Sequence, residues 1–376
     1  MAANLFNVGD WVSDFTLTAL SGKPVKLSDT VGVPVALVFL GSDTAQIGAA
    51  QTACAGFAEL YPKFSALHVP VLAIRPGAAG SDRLGGAEAS DGAAGALSWP
   101  GQESLPFAVL CDVTGEISAR YSAPRLRGAL LSPNGRVFRF YDLTDPAGLA
   151  AQMLGDASGI LNLEAPRHVL QQAPVLLIPD VIPPEFCRKL MDVWEKEGNQ
   201  DSGFMVNAED GKTVGKYDYS NKIRRDHFIP RGNDLDRECR GWLGRHIAGE
   251  VYKAFNYEVT RLEDMKIACY DAARGGYFRP HRDNTTGATA HRKFAASILL
   301  NDEYEGGFLR FPEYGPHVYR PKAGAAVIFG CSLLHEATDV TKGRRFVLLT
   351  FLYGEKEAKM REEYAKKTGG AYRASS

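Results

Sequence analysis

The sequence predicts two domains of different class, an α/β domain followed by a mainly β domain with flanking helices. The 376 residues exceed a typical domain of roughly 100–200 residues. Residues 1–155 carry 10 Lys/Arg and 13 Asp/Glu, whereas the remaining residues carry 33 and 31, about twice as many per residue. We therefore predict a first domain over 1–155, a linker over 156–172, a second domain over 173–355 and a charged helix and tail over 356–376.

Composition and charge exclude several function classes. The formal net charge is −1, so we expect no nucleic-acid partner and no anionic membrane surface. Six cysteines are too few for a disulfide scaffold in a chain of this length. No basic segment followed by an apolar run begins the sequence, and no stretch has the roughly 20 apolar residues of a membrane helix. A cytoplasmic protein with reduced thiols is expected.

In the first domain, apolar runs alternate with one helical pattern. Residues 52–65 have helical spacing, with Phe57, Leu60, Tyr61 and Phe64 on one face. A strand, a helix and a strand in this order predict an α/β sheet. Residues 76–98 are rich in Gly, Ala and Ser and predict a surface loop. The predicted strands are 33–40, 69–74, 105–111, 128–132 and 137–140.

The second domain begins with helical patterns and continues as many short strands. Residues 184–198 form an amphipathic pattern, and 235–255 predict a second helix. Short β runs separated by Gly, Pro and Asn are typical of a sandwich or barrel. The strands are predicted over 265–270, 294–300, 307–311, 325–329 and 346–352. A charged helix follows from residue 355.

A candidate metal site lies in the second domain. His281 and Asp283 are separated by one residue, so on a strand they point to the same side and can bind one ion. A second imidazole, His335, would have to come from a distant strand. Two imidazoles and one carboxylate on one face leave coordination positions open, as in non-haem Fe(II) oxygenases. Alone, the His-x-Asp pair is a weak signal, and a solvated surface pair is the alternative.

Arg345 gives the metal motif its context. It stands ten residues after His335, at the start of an apolar run over 345–349. A buried guanidinium needs a carboxylate partner. A dicarboxylate that chelates the metal at one end would supply that partner at its other end.

These residues resemble the prolyl-4-hydroxylase-like branch of the 2-oxoglutarate- and Fe(II)-dependent dioxygenases, over about residues 173–354. The matching stretches are 173–176, 183–187, Tyr270 with 276–283, 304–311, 321–329 and 335–345. The resemblance implies a double-stranded β-helix, or jelly roll. It also implies a hydroxylase that uses Fe(II), 2-oxoglutarate and O₂ and releases succinate and CO₂, with ascorbate as a candidate reductant. Asp283 is present, which favours hydroxylation over halogenation.

The resemblance also implies residue roles. His281, Asp283 and His335 would bind iron, and Arg345 would pair with the distal carboxylate of 2-oxoglutarate beside Tyr270. Arg344 is the alternative to Arg345. The candidate substrate-pocket residues are Tyr277, Asn284 and Arg310. The substrate is expected to be an amino acid, a peptidyl residue or a small metabolite.

The first domain resembles the peroxiredoxins, through residues 9–17, 22–29 and 105–112. The resemblance implies a thioredoxin-like fold, with Pro106 a candidate cis-proline. A peroxiredoxin needs a thiolate at the first turn of the helix after the 33–40 strand, but that position falls near Ala49, and residues 41–50 contain no cysteine. Cys54 would match the resolving cysteine of some members, or it is a small apolar residue of the core.

Two alternatives to an oxygenase stay open at this point. The protein could be a thiol-dependent peroxidase that uses Cys54, or a non-catalytic protein of two interaction modules. Without its nucleophile, the first domain would be a scaffold, for instance for a homodimer. The basic run 222–225 is too short to indicate nucleic-acid binding and is expected to be a solvated face.

Overall fold

The computed structural model divides into two compact units, Met1–Pro166 and Arg167–Ser376, here called the N-terminal and C-terminal units. The predicted loop 76–98 lies outside the described residues except for its first two positions, as does the chain after residue 368. The described residues are 5–30, 32–77, 99–142, 145–161, 168–209 and 212–368.

The N-terminal unit is a seven-stranded sheet in the order β2-β1-β5-β4-β3-β6-β7. Only the neighbours β3–β4 and β4–β5 pair in parallel. This confirms the predicted thioredoxin-like α/β fold. Its elements are β1 (Thr16–Ala19), β2 (Pro24–Lys26), β3 (Val35–Phe39), α1 (Ile47–Ala66), β4 (Val71–Pro76), β5 (Ala108–Asp112), α2 (Glu116–Arg120), β6 (Arg127–Leu131), β7 (Val137–Asp142) and α3 (Leu149–Ile160).

The central strand and the long helix form as the apolar pattern requires. Every residue of β3 is buried, as expected of a parallel strand covered on both faces. In α1, Phe57 and Phe64 are buried in the core, and Leu60 and Tyr61 pack against it. The helix begins at Ile47, five residues before its predicted start, so Ala49 lies in its first turn.

Two predictions about the N-terminal unit are wrong. The described residues contain no cis peptide bond, so Pro106 is not a cis-proline. Leu105 before it has an extended backbone, a conformation that a trans proline accepts. The predicted linker also begins too early, because α3 continues through residues 156–160. The helix is held there by Ala157, which is buried in the core, and by Ile160, which packs against it.

The C-terminal unit contains a nine-stranded sheet, a five-stranded sheet and a two-stranded hairpin. Its helices are α4 (Pro184–Lys196), α5 (Asp234–His246), α6 (Ala248–Phe255) and α7 (Glu355–Thr368). Its strands are β8 (Val175–Ile178), β9 (Gln200–Asp201), β10 (Phe204–Asn207), β11 (Thr213–Lys216), β12 (Lys222–Ile223), β13 (Arg225–Phe228), β14 (Arg261–Leu262), β15 (Lys266–Asp271), β16 (Tyr277–His281), β17 (Phe294–Leu299), β18 (Tyr304–Gly306), β19 (Leu309–Arg310), β20 (Val318–Tyr319), β21 (Ala326–Gly330), β22 (His335–Ala337) and β23 (Val340–Tyr353).

The two large sheets form the predicted jelly roll. The larger has the main order β8-β21-β17-β23-β15-β13-β9, and the smaller has the order β12-β16-β22-β19-β20. Side chains from both sheets meet in shared apolar clusters, for example Tyr270 and Val347 of the larger sheet with Ala337 of the smaller. The smaller sheet carries both histidines of the predicted metal site, and the larger sheet carries Arg345.

The helices of the C-terminal unit lie where the sequence predicts them, but one predicted helix is divided into two. The helix predicted over 184–198 is α4, and its buried face includes Phe186, Leu190 and Trp194. The helix predicted over 235–255 is two helices, which meet at the buried Ile247. Among the described residues, no helix is long and apolar enough to span a membrane.

Candidate metal centre and anion pocket

The structure brings His281, Asp283 and His335 together at one point. His281 ends β16 and His335 begins β22, and the two are register partners on neighbouring strands. One Asp283 oxygen lies 3.5 Å from His281 Nε2, and the other lies 3.3 Å from His335 Nε2. One ligand atom from each residue lies within 4.8 Å of the others. Two imidazoles and a carboxylate at these distances can bind one divalent metal ion from one face.

Both imidazoles are held in the orientation that a metal requires. His281 Nδ1 lies 2.8 Å from the carbonyl oxygen of Arg279, and His335 Nδ1 lies 3.0 Å from that of Leu333. A carbonyl accepts a hydrogen bond, so each Nδ1 carries the proton and each Nε2 keeps its lone pair for the metal. Phe278 stacks on the His281 ring with centroids 3.4 Å apart, which fixes that ring further.

The protonation states also favour metal binding. Burial lowers the pKa of His281 and so favours its neutral, ligating form. Burial alone would raise the pKa of Asp283, but His335 and His281 outweigh it and hold that pKa well below its ordinary value. The carboxylate is therefore ionised and both groups are ready to bind without first losing a proton.

Arg345 is a buried cation without an anionic partner. It is 4% exposed, its Nε has no hydrogen-bond partner, and no described residue forms an ion pair with it. Its side-chain contact is the Tyr270 ring, 5.1 Å away. A buried unpaired guanidinium is costly. It lines the same cavity of about 610 Å³ as the metal triad, so a carboxylate of a ligand in that cavity would satisfy it.

Gly307 makes room for this guanidinium. Its φ is +61°, and a Cβ added there would lie 2.9 Å from Arg345 Cδ and 2.7 Å from Val340 Cγ2. Such distances are shorter than van der Waals contact. The glycine therefore allows the positive φ of this turn and leaves space for the Arg345 side chain.

Tyr270 lies beside Arg345, whereas Arg344 lies at the protein surface. Tyr270 and Arg345 are register partners on β15 and β23, and the Tyr270 hydroxyl accepts a 3.2 Å hydrogen bond from Arg224. Arg344 is 44% exposed and forms an ion pair with Glu195. Because successive strand residues point to opposite faces, only Arg345 of the two arginines lines the cavity.

The structure corrects the prediction of the substrate pocket: Tyr277, Asn284 and Arg310 do not line the cavity. Strict alternation would place Tyr277 with His281, but a β-bulge between Phe278 and His281 breaks it. The Tyr277 hydroxyl instead donates to the carbonyl of Tyr219. Arg310 lies on the opposite face of β19 from the cavity-lining Leu309 and pairs with Glu336.

The basic run 222–225 is the main feature that sequence reasoning missed. It is not a solvated face, because Lys222 and Arg224 are 4% and 7% exposed and line the cavity. Arg224 donates two 2.7 Å hydrogen bonds to the buried Asp226. Lys222, Arg224 and Asp226 occupy alternate positions, as one face of a strand does. That alternation indicates a strand with one charged face, but it does not show that this face lines a cavity.

The N-terminal unit has no comparable site at the expected thiol. Cys54 is 2% exposed, and burial raises the pKa of its thiol to about 12. The thiol therefore stays protonated near neutral pH and is a poor nucleophile. This supports the interpretation of Cys54 as a small apolar residue of the core.

The C-terminal unit is thus a jelly roll with a His-Asp-His cluster that can bind a metal ion and a buried arginine in the same cavity, an arrangement typical of non-haem iron oxygenases. Residues 265–353 match the 2OG-Fe(II) oxygenase superfamily, and residues 8–137 match the AhpC/TSA family. A PKHD-type hydroxylase of Caulobacter sp. is 39% identical over 186 residues, which are 46% of this chain and 74% of that protein. The chain belongs to the 2OG-Fe(II) oxygenase superfamily.

Other similar proteins match about half of this chain or less. A multifunctional procollagen lysine hydroxylase and glycosyltransferase of Caenorhabditis elegans is 27% identical over 52% of the chain, which covers 26% of that protein. A Pseudomonas putida prolyl-4-hydroxylase has a TM-score of 0.37 at 16% identity, covering 48% of this chain and 93% of its own. The Mycobacterium tuberculosis peroxidoxin BcpB has a TM-score of 0.33 at 18% identity, and the match covers 42% of this chain and 99% of BcpB.

Proposed function

We propose that the protein is an Fe(II)- and 2-oxoglutarate-dependent dioxygenase that hydroxylates an unactivated C–H bond of an amino acid, a peptidyl residue or a small metabolite. The observation that carries this proposal is the buried, unpaired Arg345 in the cavity of the His281, Asp283 and His335 cluster. A metal triad alone fits many ions and reactions. A metal triad with an unsatisfied cation in the same cavity fits a ligand that has a chelating end and an anionic end.

The side chains have distinct roles in this proposal. His281 and His335 would hold Fe(II) through Nε2, and Asp283 would hold it through a carboxylate oxygen. Arg345 binds the distal carboxylate of 2-oxoglutarate, and the Tyr270 ring packs beside the guanidinium. When bound, iron and 2-oxoglutarate supply the oxidation of a substrate C–H bond by O₂, with release of succinate and CO₂. The apolar side chains of Phe278 and Phe329 pack on the two imidazoles and hold their rings in place.

The peroxidase alternative has no support in the described residues. All six cysteines are buried and unpaired, and burial raises the pKa of Cys54 to about 12. A thiol peroxidase needs an accessible thiolate. The N-terminal unit is accordingly proposed as a scaffold, for instance for homodimer formation.

Succinate release tests the proposal. Purified protein with Fe(II), ascorbate and O₂ should convert 2-oxoglutarate slowly to succinate without a substrate, and faster once a substrate is present. The His335→Ala variant should lose this conversion because it removes a metal ligand. Intact, iron-loaded protein that neither binds nor decarboxylates 2-oxoglutarate would contradict the proposal.

A further inference from the structure

Two lysines of the oxygenase cavity, one buried and one partly buried, have no role in the chemistry proposed above. Lys222 is 4% exposed, and Lys266 has a side-chain exposure of 21%. Both line the cavity that contains the metal triad. Buried lysines are rare unless a carboxylate neutralises them, so the question is which anion they serve.

The nearby carboxylates already have partners. Asp226 receives two hydrogen bonds from Arg224 and a third, of 2.6 Å, from Ser202. Glu263 receives two from Arg292 and lies 2.6 Å from His291 Nε2. Asp226 and Glu263 are therefore both satisfied by side chains other than the two lysines.

The lysines themselves contact only neutral or distant acceptors. Lys222 Nζ donates to Ser202 Oγ at 2.8 Å and to the Gly203 carbonyl at 2.7 Å. Lys266 Nζ lies 4.0 Å from one Asp226 oxygen that is already bound twice. Burial lowers the pKa of Lys222 well below its ordinary value and that of Lys266 to about 8. Among the described residues, neither lysine therefore has a carboxylate oxygen within hydrogen-bond distance that could stabilise its charged form.

2-Oxoglutarate would not supply the two lysines with a carboxylate. Its distal carboxylate is accounted for by Arg345, and its other end is accounted for by the metal. An ammonium in a dry site attracts an anion far more strongly than it would in water. A second anionic group inside the cavity would therefore stabilise the charged form of both lysines.

The cavity is also covered on the side of these lysines. The hairpin strands β10 and β11 contribute lining residues such as Phe204 and Met205, and α7 contributes Tyr364. The Tyr364 hydroxyl donates to Thr213 Oγ1 at 3.2 Å and accepts from the Thr213 backbone N–H at 3.2 Å. This pair of contacts holds α7 against β11 and favours a small substrate over a long polypeptide.

We infer that the substrate is a small molecule with a free carboxylate, and that Lys222 and Lys266 bind that carboxylate. This inference rests on the proposed function for the identity of the cavity as a hydroxylase site and for the placement of 2-oxoglutarate on the metal and Arg345. The lysines would fix the orientation of the substrate, and orientation decides which of its carbon atoms is oxidised.

Binding of acetate to the metal-loaded protein tests this inference. The full chain is saturated with Mn(II) and 2-oxoglutarate, so that Arg345 and the metal are occupied, and acetate is titrated by calorimetry. Acetate should bind saturably and its neutral analogue acetamide should not. Lys222→Met should weaken acetate binding by about tenfold or more, Lys222→Arg should restore most of it, and Lys266→Met should weaken it independently. The matched control is Arg344→Gln, an exposed cation, which should bind acetate like the wild type.

Two further outcomes separate the inference from the proposed function. If acetate does not bind saturably, or binds equally to Lys222→Met and Lys266→Met, the inference is wrong even if 2-oxoglutarate binds. If 2-oxoglutarate does not bind but acetate binding depends on Lys222, the proposed function fails and the anion site stands. Competition by N-acetylalanine supports a small free acid. Competition by an acetylated, amidated Ala-Glu-Ala peptide but not by N-acetylalanine would overturn that assignment.

Discussion

The guanidinium of Arg345 lies 5.1 Å from the centre of the Tyr270 ring, on the neighbouring strand at the same register. The aromatic face gives the cation a favourable neighbour but no countercharge. The arrangement holds an unpaired buried cation in one position in the absence of its anion. This preorganisation is what a carboxylate-binding pocket needs.

The first prediction concerns Arg345 itself. Arg345→Gln should raise the dissociation constant of 2-oxoglutarate about 100-fold, since hydrogen bonds to charged groups contribute roughly 1.5–3 kcal/mol each. Titration of the metal-loaded variant by calorimetry measures the change. Arg344→Gln is the control and should bind 2-oxoglutarate within about twofold of the wild type, because Arg344 pairs with Glu195 at the surface. A larger loss in Arg344→Gln than in Arg345→Gln would reverse the assignment.

The second prediction concerns Gly307. Gly307→Ala would force Arg345 and Val340 to move, so it should weaken 2-oxoglutarate binding by about tenfold. Gly315→Ala is the matched control, because Gly315 also has a positive φ, of +105°, but its added Cβ would have no neighbour closer than 3.8 Å. Both variants carry backbone strain. Equal 2-oxoglutarate affinity in the two variants would show that Gly307 does not position Arg345.

The third prediction is a pH dependence of stability. Burial would raise the pKa of Glu263, but Arg292 and His291 outweigh it and lower it to about 2, from 4.5. A lowered pKa in the folded state stabilises the protein above the unfolded pKa, and this contribution is lost as pH falls from about 4.5 towards 2.

The variant Glu263→Gln isolates this contribution. At pH 7, denaturation should show that the free energy of unfolding of the C-terminal unit is roughly 3 kcal/mol lower in Glu263→Gln than in the wild type. This difference should narrow as pH falls below about 4.5. Glu305→Gln is the control, since Glu305 forms an exposed pair with Lys342 and should change stability by less than about 1 kcal/mol. A deficit that does not change between pH 6 and pH 3 would contradict the ionised Glu263 pair.

The fourth prediction concerns the thiols. With all six cysteines buried, native protein at pH 8 should react with a thiol reagent only after unfolding, when all six become accessible. Peroxide consumption should be no faster in the wild type than in Cys54→Ala. One rapidly reacting thiol that disappears in Cys54→Ala would restore the peroxidase alternative.

Local patterns predicted the strands and the ligand pair, and long-range geometry decided the rest. Strand alternation predicted that His281 and Asp283 lie on the same side, but β16 ends at His281 and Asp283 lies in the turn that follows, so their nearness in the chain brings them together. The same alternation failed at Tyr277, because a bulge that sequence does not reveal changes the register of β16. The buried face of residues 222–226 was misjudged for a related reason. Its alternating charges indicate a strand but not which side of that strand faces a cavity, which depends on partner strands far away in the sequence.

The measurement that tests the central claim most directly is metal-dependent binding of 2-oxoglutarate. The full chain is titrated with 2-oxoglutarate under anaerobic conditions, once with Fe(II) and once after the metal is removed with a chelator. We predict saturable binding with Fe(II), binding weakened at least about tenfold without it, and a further loss in Arg345→Gln. Folded, Fe(II)-loaded protein that does not bind 2-oxoglutarate, or that binds it equally well without metal, would contradict the account.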